Sequence, residues 1–192
     1  MPLLASARLR LEPVGPQHFE GLHELNSDPE VMRFISGRPE TPEETRTIIA
    51  RTQARWEEFG YSWWSFIDRE SGQLVGAGCV QNLRRTDRPS PDPACPLEIG
   101  WRLRRDRWGQ GLASEAAVTM ADFAFGPLAA PELYAVCDPD NTASSAVMRR
   151  LGMDDLGLDT WYGKRLATYR ITAERWAERR QAAGAQERPQ GL

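Results

Sequence analysis

Cysteine is sparse in this chain, and its few copies are scattered. Cys79, Cys95 and Cys137 are odd in number and far apart among 192 residues. That argues against a disulfide framework and fits a reducing cytoplasm. Histidine is scarcer still: His18 and His23 lie five apart, with no Cys or carboxylate at ligand spacing, so no metal site is readable. No apolar run approaches the ~20 residues of a membrane span. Met1 to Arg10 has no basic stretch followed by an apolar one, so a signal peptide is not expected. A Gly-x-Ser-x-Gly elbow is also missing, which removes one class of nucleophilic enzyme. With a formal net charge of -3, the whole molecule is not a nucleic-acid binder.

What is present describes a soluble globular domain. Hydrophobic residues make up 41% and charged residues 27%, and a chain of this length hides roughly 70% of its unfolded surface on folding. One domain is expected over residues 1–181, followed by a polar, disordered tail over 182–192. Arg8 to Glu12 alternates as a strand, and Pro16 to Asn26 carries Phe19, Leu22 and Leu25 on one helical face. Asp28-Pro29 opens a short helix. Thr41-Pro42-Glu43-Glu44 starts a longer one that runs to Phe59 before Gly60. Strands over Ser62–Asp68 and Gln73–Val80 flank the turn Glu70-Ser71-Gly72, with Trp63 and Trp64 on opposite faces and both expected in the core. After a Pro- and Arg-rich loop from Asn82 to Pro96 come a strand (Leu97–Leu103), a helix (Gly111–Phe125), a strand (Leu133–Cys137) and a helix (Asn141–Leu151). Two strands around Gly163-Lys164 and a helix from Thr172 to Gln181 close the pattern. The class is mixed α/β.

The chemistry concentrates in two places. Arg104-Arg105-Asp106-Arg107-Trp108-Gly109-Gln110-Gly111-Leu112-Ala113-Ser114-Glu115 takes a strand through a glycine-punctuated turn into a helix. Glycines let backbone N–H groups converge, and a helix start adds unpaired N–H groups and a positive dipole end, so the turn suits a diphosphate. A Walker A loop would need Lys and then Ser or Thr where Leu112 and Ala113 stand. A Rossmann fingerprint would need an opening βαβ unit, whereas this turn follows strands joined by a hairpin. A third diphosphate loop and a helix start without a ligand both remain open at this point. The second place is Asp138-Pro139-Asp140-Asn141, which ends a strand and opens a helix bearing Ser144, Val147, Met148 and Leu151 on one face, with Gly152 as its stop. Taken alone, Asn141 reads as an N-cap and Ser144 as a first-turn hydroxyl.

Together the two segments resemble the GNAT superfamily of N-acetyltransferases, and within it the branch that acetylates the N-termini of ribosomal proteins. Arg8-Leu9-Arg10-Leu11-Glu12-Pro13, Ser27-Asp28-Pro29-Glu30-Val31-Met32 and Glu98-Ile99-Gly100-Trp101 agree with it. So do Trp108 through Ala116, and Asn141 with Ser144 through Leu151-Gly152-Met153. The resemblance covers the chain to about Arg175. It implies a twisted, mostly antiparallel sheet of about seven strands, flanked by helices, whose fourth and fifth strands splay to admit acetyl-CoA. Backbone groups of Trp101, Arg102 and Leu103 would pair with the pantetheine arm, beside Arg104. Amides from Gly109, Gln110, Gly111, Leu112, Ala113 and Ser114 would hold the pyrophosphate. Asn141 would bond the pantetheine, and Arg149 or Arg150 would approach the nucleotide. Asp106 departs from the pattern, which often has Arg or Gln there.

Acetyl transfer needs an acceptor for the amine's proton and a proton for the departing thiolate. Many superfamily members use a Tyr as acid, but Met148 occupies that position here. Ser144 takes its place, as in the ribosomal-protein branch, with the helix N-terminus stabilising negative charge. Glu98 is the candidate base. The expected function is therefore acetyl transfer in a ternary complex to a primary amine, with a peptide N-terminal α-amine ahead of a small-molecule amine. The alternative from another class is a non-catalytic acyl-CoA sensor. Acetyl-CoA is the expected co-substrate, and no metal, nucleic acid or membrane partner is expected. The protein is expected in the cytoplasm as a monomer or homodimer.

Overall fold

Short turns and one long crossover decide how the strands line up. The computed structural model describes residues 1–88 and 92–186, with side chains to residue 184. Part of the expected 82–96 loop and residues 187–192 of the expected tail lie outside that range. Among the described residues, eight strands form one sheet in the order β1-β2-β3-β4-β5-β6-β8-β7. They are β1 (Leu4–Ala5), β2 (Leu9–Pro13), β3 (Trp63–Asp68), β4 (Leu74–Asn82), β5 (Leu97–Leu103), β6 (Glu132–Cys137), β7 (Asp154–Trp161) and β8 (Lys164–Thr172). The strand beyond the expected seven is β1, two residues long and paired antiparallel with β2. So short an element leaves no alternation to read.

All neighbours pair antiparallel except β5 and β6. There a helical crossover forces a parallel arrangement. That ladder has one registered pair, Glu98 with Tyr134, whereas β4 and β5 share seven, from Gly76–Leu103 to Asn82–Leu97. Past Glu98 the two strands separate, which opens the cleft that the fold uses.

Six α-helices among the described residues cover the two faces: α1 (Phe19–Ser27), α2 (Pro29–Met32), α3 (Pro42–Phe59), α4 (Leu112–Phe125), α5 (Thr142–Arg150) and α6 (Ala173–Gln186). The start of α3 shows why its boundary is legible. Thr41 Oγ1 accepts from the Glu44 N–H, the Glu44 carboxylate accepts from the Thr41 N–H, and Pro42 fills the first turn; this capping box satisfies two donors that a helix start leaves open. Gly60 closes the helix in the left-handed region at φ 74. The last helix runs five residues past the expected Gln181.

Two cores result. On one face α4 lays Ala116, Met120 and Phe123 against Trp64, Phe66, Ile99 and Leu103. On the other, Leu22 and Leu25 of α1, Met32 of α2 and Ile49 of α3 meet Ile67, Leu74 and Ala77. Because β5 alternates, Ile99 and Leu103 face α4, while Glu98 and Arg102 face the opposite side. No helix among the described residues is long and apolar enough to cross a membrane.

Candidate active site

The turn from β5 into α4 is built from backbone. Gly109 and Gly111 both sit in the left-handed region, at φ 73 and 78, where a side chain is strained. Gly111 caps α4 without a side-chain hydrogen bond, so the first-turn N–H groups of Leu112, Ala113 and Ser114 point outward with no intrahelical acceptor. The turn is held from outside. Arg8 donates through Nη1 to the Gln110 carbonyl at 2.9 Å and through Nε to Glu115 at 2.7 Å. The Trp108 indole donates to the Leu103 carbonyl at 2.9 Å. Arg150 of α5 reaches Ser114 Oγ at 3.2 Å, tying the starts of two helices together, while Arg149 reaches the Tyr169 hydroxyl at 3.4 Å.

The arginines around this turn do not act as one field. Arg104 pairs with Glu24 and Asp106, each at 3.2 Å. Arg107 lies 3.8 Å from Asp106 and 3.9 Å from Asp68. Asp106 therefore balances its own neighbours. Arg102 turns to the other face, donating to Asn26 Oδ1 at 3.0 Å with its guanidinium 4.7 Å from the Trp63 ring centre. Trp101 packs beside the α4-side core and Leu103 is buried within it.

Across the cleft, Asn141 caps α5 by accepting from the Ser144 N–H at 3.1 Å, which leaves its Nδ2 as the remaining donor of the amide. Ser144 is partly exposed in the first turn, whereas Met148 is 2% exposed and belongs to the core.

Glu98 is only 5% exposed. Gln81 Nε2 donates to its Oε1 at 2.8 Å, and the Tyr162 hydroxyl donates to the same oxygen. Burial pushes the carboxyl up to about 7, against the opposing pull of the Gln81 hydrogen bond and the Arg84 charge. Gln81 is itself oriented: its Oε1 accepts from the Trp63 indole at 3.1 Å. Tyr162 comes from the β7–β8 turn, where it adopts φ 55 followed by Gly163 at φ 69. Positive φ at both central residues is the two-residue hairpin geometry that favours Asn-Gly. A tyrosine there is strained, at the position where its hydroxyl meets Glu98. The turn is fastened by the loop after β4: the Tyr162 N–H donates to the Arg84 carbonyl at 2.8 Å and the Gly163 N–H to that of Arg85 at 3.1 Å.

Sequence reading named Glu98 but not Gln81, Arg84 or the Tyr162 contact. The register between β4 and β5, which sets Gln81 opposite Glu98, is the signal that would have found the first of them. Of the adjacent tryptophans, Trp64 is fully buried, while Trp63 stands partly exposed between Gln81 and Arg102.

A splayed parallel pair, a glycine-built anion turn between them and a buried carboxylate beside the opening define an acyl-carrier transferase fold. A family profile described as the acetyltransferase (GNAT) domain matches residues 8–154. The chain belongs to that family, and it is an acetyl-CoA-dependent N-acetyltransferase. A curated relative from Aspergillus fumigatus, FsC-acetyl coenzyme A-N(2)-transacetylase, is 32% identical over 91% of this chain and 78% of its own length. An acetyltransferase from Agrobacterium tumefaciens superimposes with a TM-score of 0.75 at 26% identity, covering 89% of this chain and 94% of that one. RimL, a ribosomal-protein alpha-N-acetyltransferase solved with coenzyme A, shares the fold at a TM-score of 0.73 and 18% identity, over 89% of this chain and 98% of that one.

Proposed function

We propose that the chain acetylates an α-amine, an amine on the carbon next to a carbonyl, with Glu98 as base and Ser144 as acid. The burial of Glu98 carries this reading. A carboxyl held near 7 accepts a proton efficiently from an amine of similar acidity, and α-amines have a reference pKa of about 7.7–8.0 against about 10.4 for lysine. The A. fumigatus relative, whose name places the transfer on N(2), supports the same choice. A peptide N-terminus and a small amino-acid-like amine both qualify.

Acetyl-CoA, the family's co-substrate, supplies an activated thioester. The residues fit it: left-handed Gly109 and Gly111, an uncapped α4 and strands that part beyond Glu98. In this reading the amides from Gly109 to Ser114 hold the pyrophosphate. The backbone of Trp101, Arg102 and Leu103 lines the pantetheine arm, with Asn141 Nδ2 as a donor to it. Arg104, Arg149 and Arg150 flank the nucleotide end, where Arg150 already meets Ser114. Glu98 takes the amine proton, directly or through water. Ser144 Oγ, in the first turn of α5, gives a proton to the leaving sulfur, and the helix start stabilises charge there.

Matched peptides with free and acetyl-blocked N-termini, each containing one lysine, test the acceptor. Initial rates with acetyl-CoA should favour the free α-amine at least tenfold near pH 7, in line with its larger neutral fraction. Equal turnover of the blocked lysine peptide would overturn the α-amine reading.

A further inference from the structure

The acceptor side holds more positive charge than proton transfer uses. A small cavity lined by Arg55, Phe59, Tyr61, Gln81, Asn82 and Arg84 adjoins Glu98. Gln81 links the two, since its side chain lines the cavity and its amide donates to the carboxylate. Arg84 presents its guanidinium to Tyr162, with its central carbon 4.3 Å from the ring centre. The phenol occupies the face of that group but cannot accept from its edge. The buried Nε indeed finds no acceptor. Among the described residues, Glu98 and Asp87 are the carboxylates whose charge Arg84 feels, and neither hydrogen-bonds to it.

Arg55 shares the cavity. Burial, then repulsion from Arg51 and Arg84, lowers the affinity of its guanidinium for the proton, and burial does the same for Arg84. A buried guanidinium N–H that has no acceptor, as at Arg84 Nε, is costly until a ligand accepts from that edge. A planar N–H edge in a half-apolar cavity matches a carboxylate, which accepts in the plane of the fork.

We propose that the acceptor carries a carboxylate on the same short unit as its reacting amine. Arg84 grips that carboxylate while the amine faces Glu98. One phenol ring separates the two ends of the site, which selects a unit the size of an amino acid. The inference rests on the reading of Glu98 as the acceptor-side base, and it makes Arg84 a specificity determinant.

The probes are the proteinogenic amino acids and their carboxamides, which share every side chain and differ in one charge. Binding to the CoA-loaded protein by calorimetry and acetyl-CoA consumption are both measured, in wild type, Arg84→Gln and Arg84→Lys. For at least one amino acid, the free acid should bind and react about tenfold to a hundredfold better than its amide. Arg84→Gln should collapse that acid-to-amide ratio toward one through KM, and Arg84→Lys should restore part of it. Thermal melts establish that both variants fold. Dipeptide amides beginning with Asp or Glu, set against Ala, tell whether a first-residue side chain can supply the carboxylate instead. Amides that bind as well as acids, or an Arg84→Gln variant that keeps the ratio, would overturn the inference. Carboxylate-selective binding without transfer to any amine would leave it standing and overturn the proposed reaction.

Discussion

The two sides of the cleft are made of different material. The β5–α4 turn is backbone: two left-handed glycines, an uncapped helix start and an arginine clamp from the bend between β1 and β2. The side proposed for the acceptor is side chain: Glu98 from β5, Gln81 from β4 and Tyr162 from a hairpin far along the sequence, with Arg84 packed on the tyrosine. A backbone cradle takes any ligand with the right phosphate spacing and tolerates wide change in its side chains. A buried side-chain cluster sets acidity and shape, and each member depends on the others. The cradle accordingly suits the co-substrate common to a whole family, and the cluster is where individual members can differ.

The sharpest break in this comparison comes from Glu98→Gln. The amide can keep both hydrogen bonds at Oε1 but cannot take a proton, so kcat should fall by roughly 10²–10⁴ while acetyl-CoA affinity stays as in wild type. The loss should be greatest above pH 7. Below that pH the wild-type carboxyl, whose pKa is about 7, is itself protonated and idle. Stability should move the opposite way. In the fold Glu98 binds its proton up to about 7 instead of 4.5, so the folded state holds more protons between those values. Wild-type stability therefore declines as pH rises through that window, by up to about 3 kcal/mol. Glu98→Gln, uncharged throughout, should melt higher than wild type at pH 8 and show no such decline. Single-turnover rates and melts over pH 5–9 check both signs.

The complementary break is on the cradle. Gly111→Val places a branched residue at φ 78, where it is strained, and covers the amides a pyrophosphate would use. Acetyl-CoA at a hundred times its Kd should stabilise wild type by about 2.7 kcal/mol, and the variant should lose that increment. A wild-type melt insensitive to millimolar acetyl-CoA would defeat the cradle assignment. Ser144→Ala lies between the two regions. It should lower the chemical step roughly 10- to 1,000-fold and leave the acetyl-CoA shift intact. An unchanged single-turnover rate would return Ser144 to an ordinary hydroxyl in a capped helix.

Legibility in the sequence followed the same division. The α3 cap, Gly60, the whole of β5 and the glycine turn were readable because each depends on residues within a few positions. The eighth strand was not, being two residues held by a partner strand. Nor was the acceptor cluster, whose members meet only through the β4–β5 register and the fold-back of residues 84 and 85 onto the β7–β8 turn. Glu98 could be picked out from its strand, but its burial could not, because alternation alone does not say which face of a two-sided sheet is covered.

The smallest expected effect tests whether that long-range contact tunes the base. The Tyr162 hydroxyl donates to Glu98 Oε1, and a donor to a carboxylate favours its charged form. Tyr162→Phe removes the donor and keeps the ring over which Arg84 lies. It also keeps the backbone strain, since phenylalanine at φ 55 is no easier than tyrosine. Burial then acts with less opposition, so the midpoint of kcat against pH should rise from near 7 by about 1–2 units, the worth of one hydrogen bond to a charged group. The plateau at high pH should stay within a few-fold of wild type, because the carboxylate is fully formed there in both. A fall in the midpoint would mean that the hydroxyl's main effect is to keep water away from Glu98. An unchanged midpoint would leave the tuning to Gln81 and Arg84, and Gln81→Leu should then raise it instead.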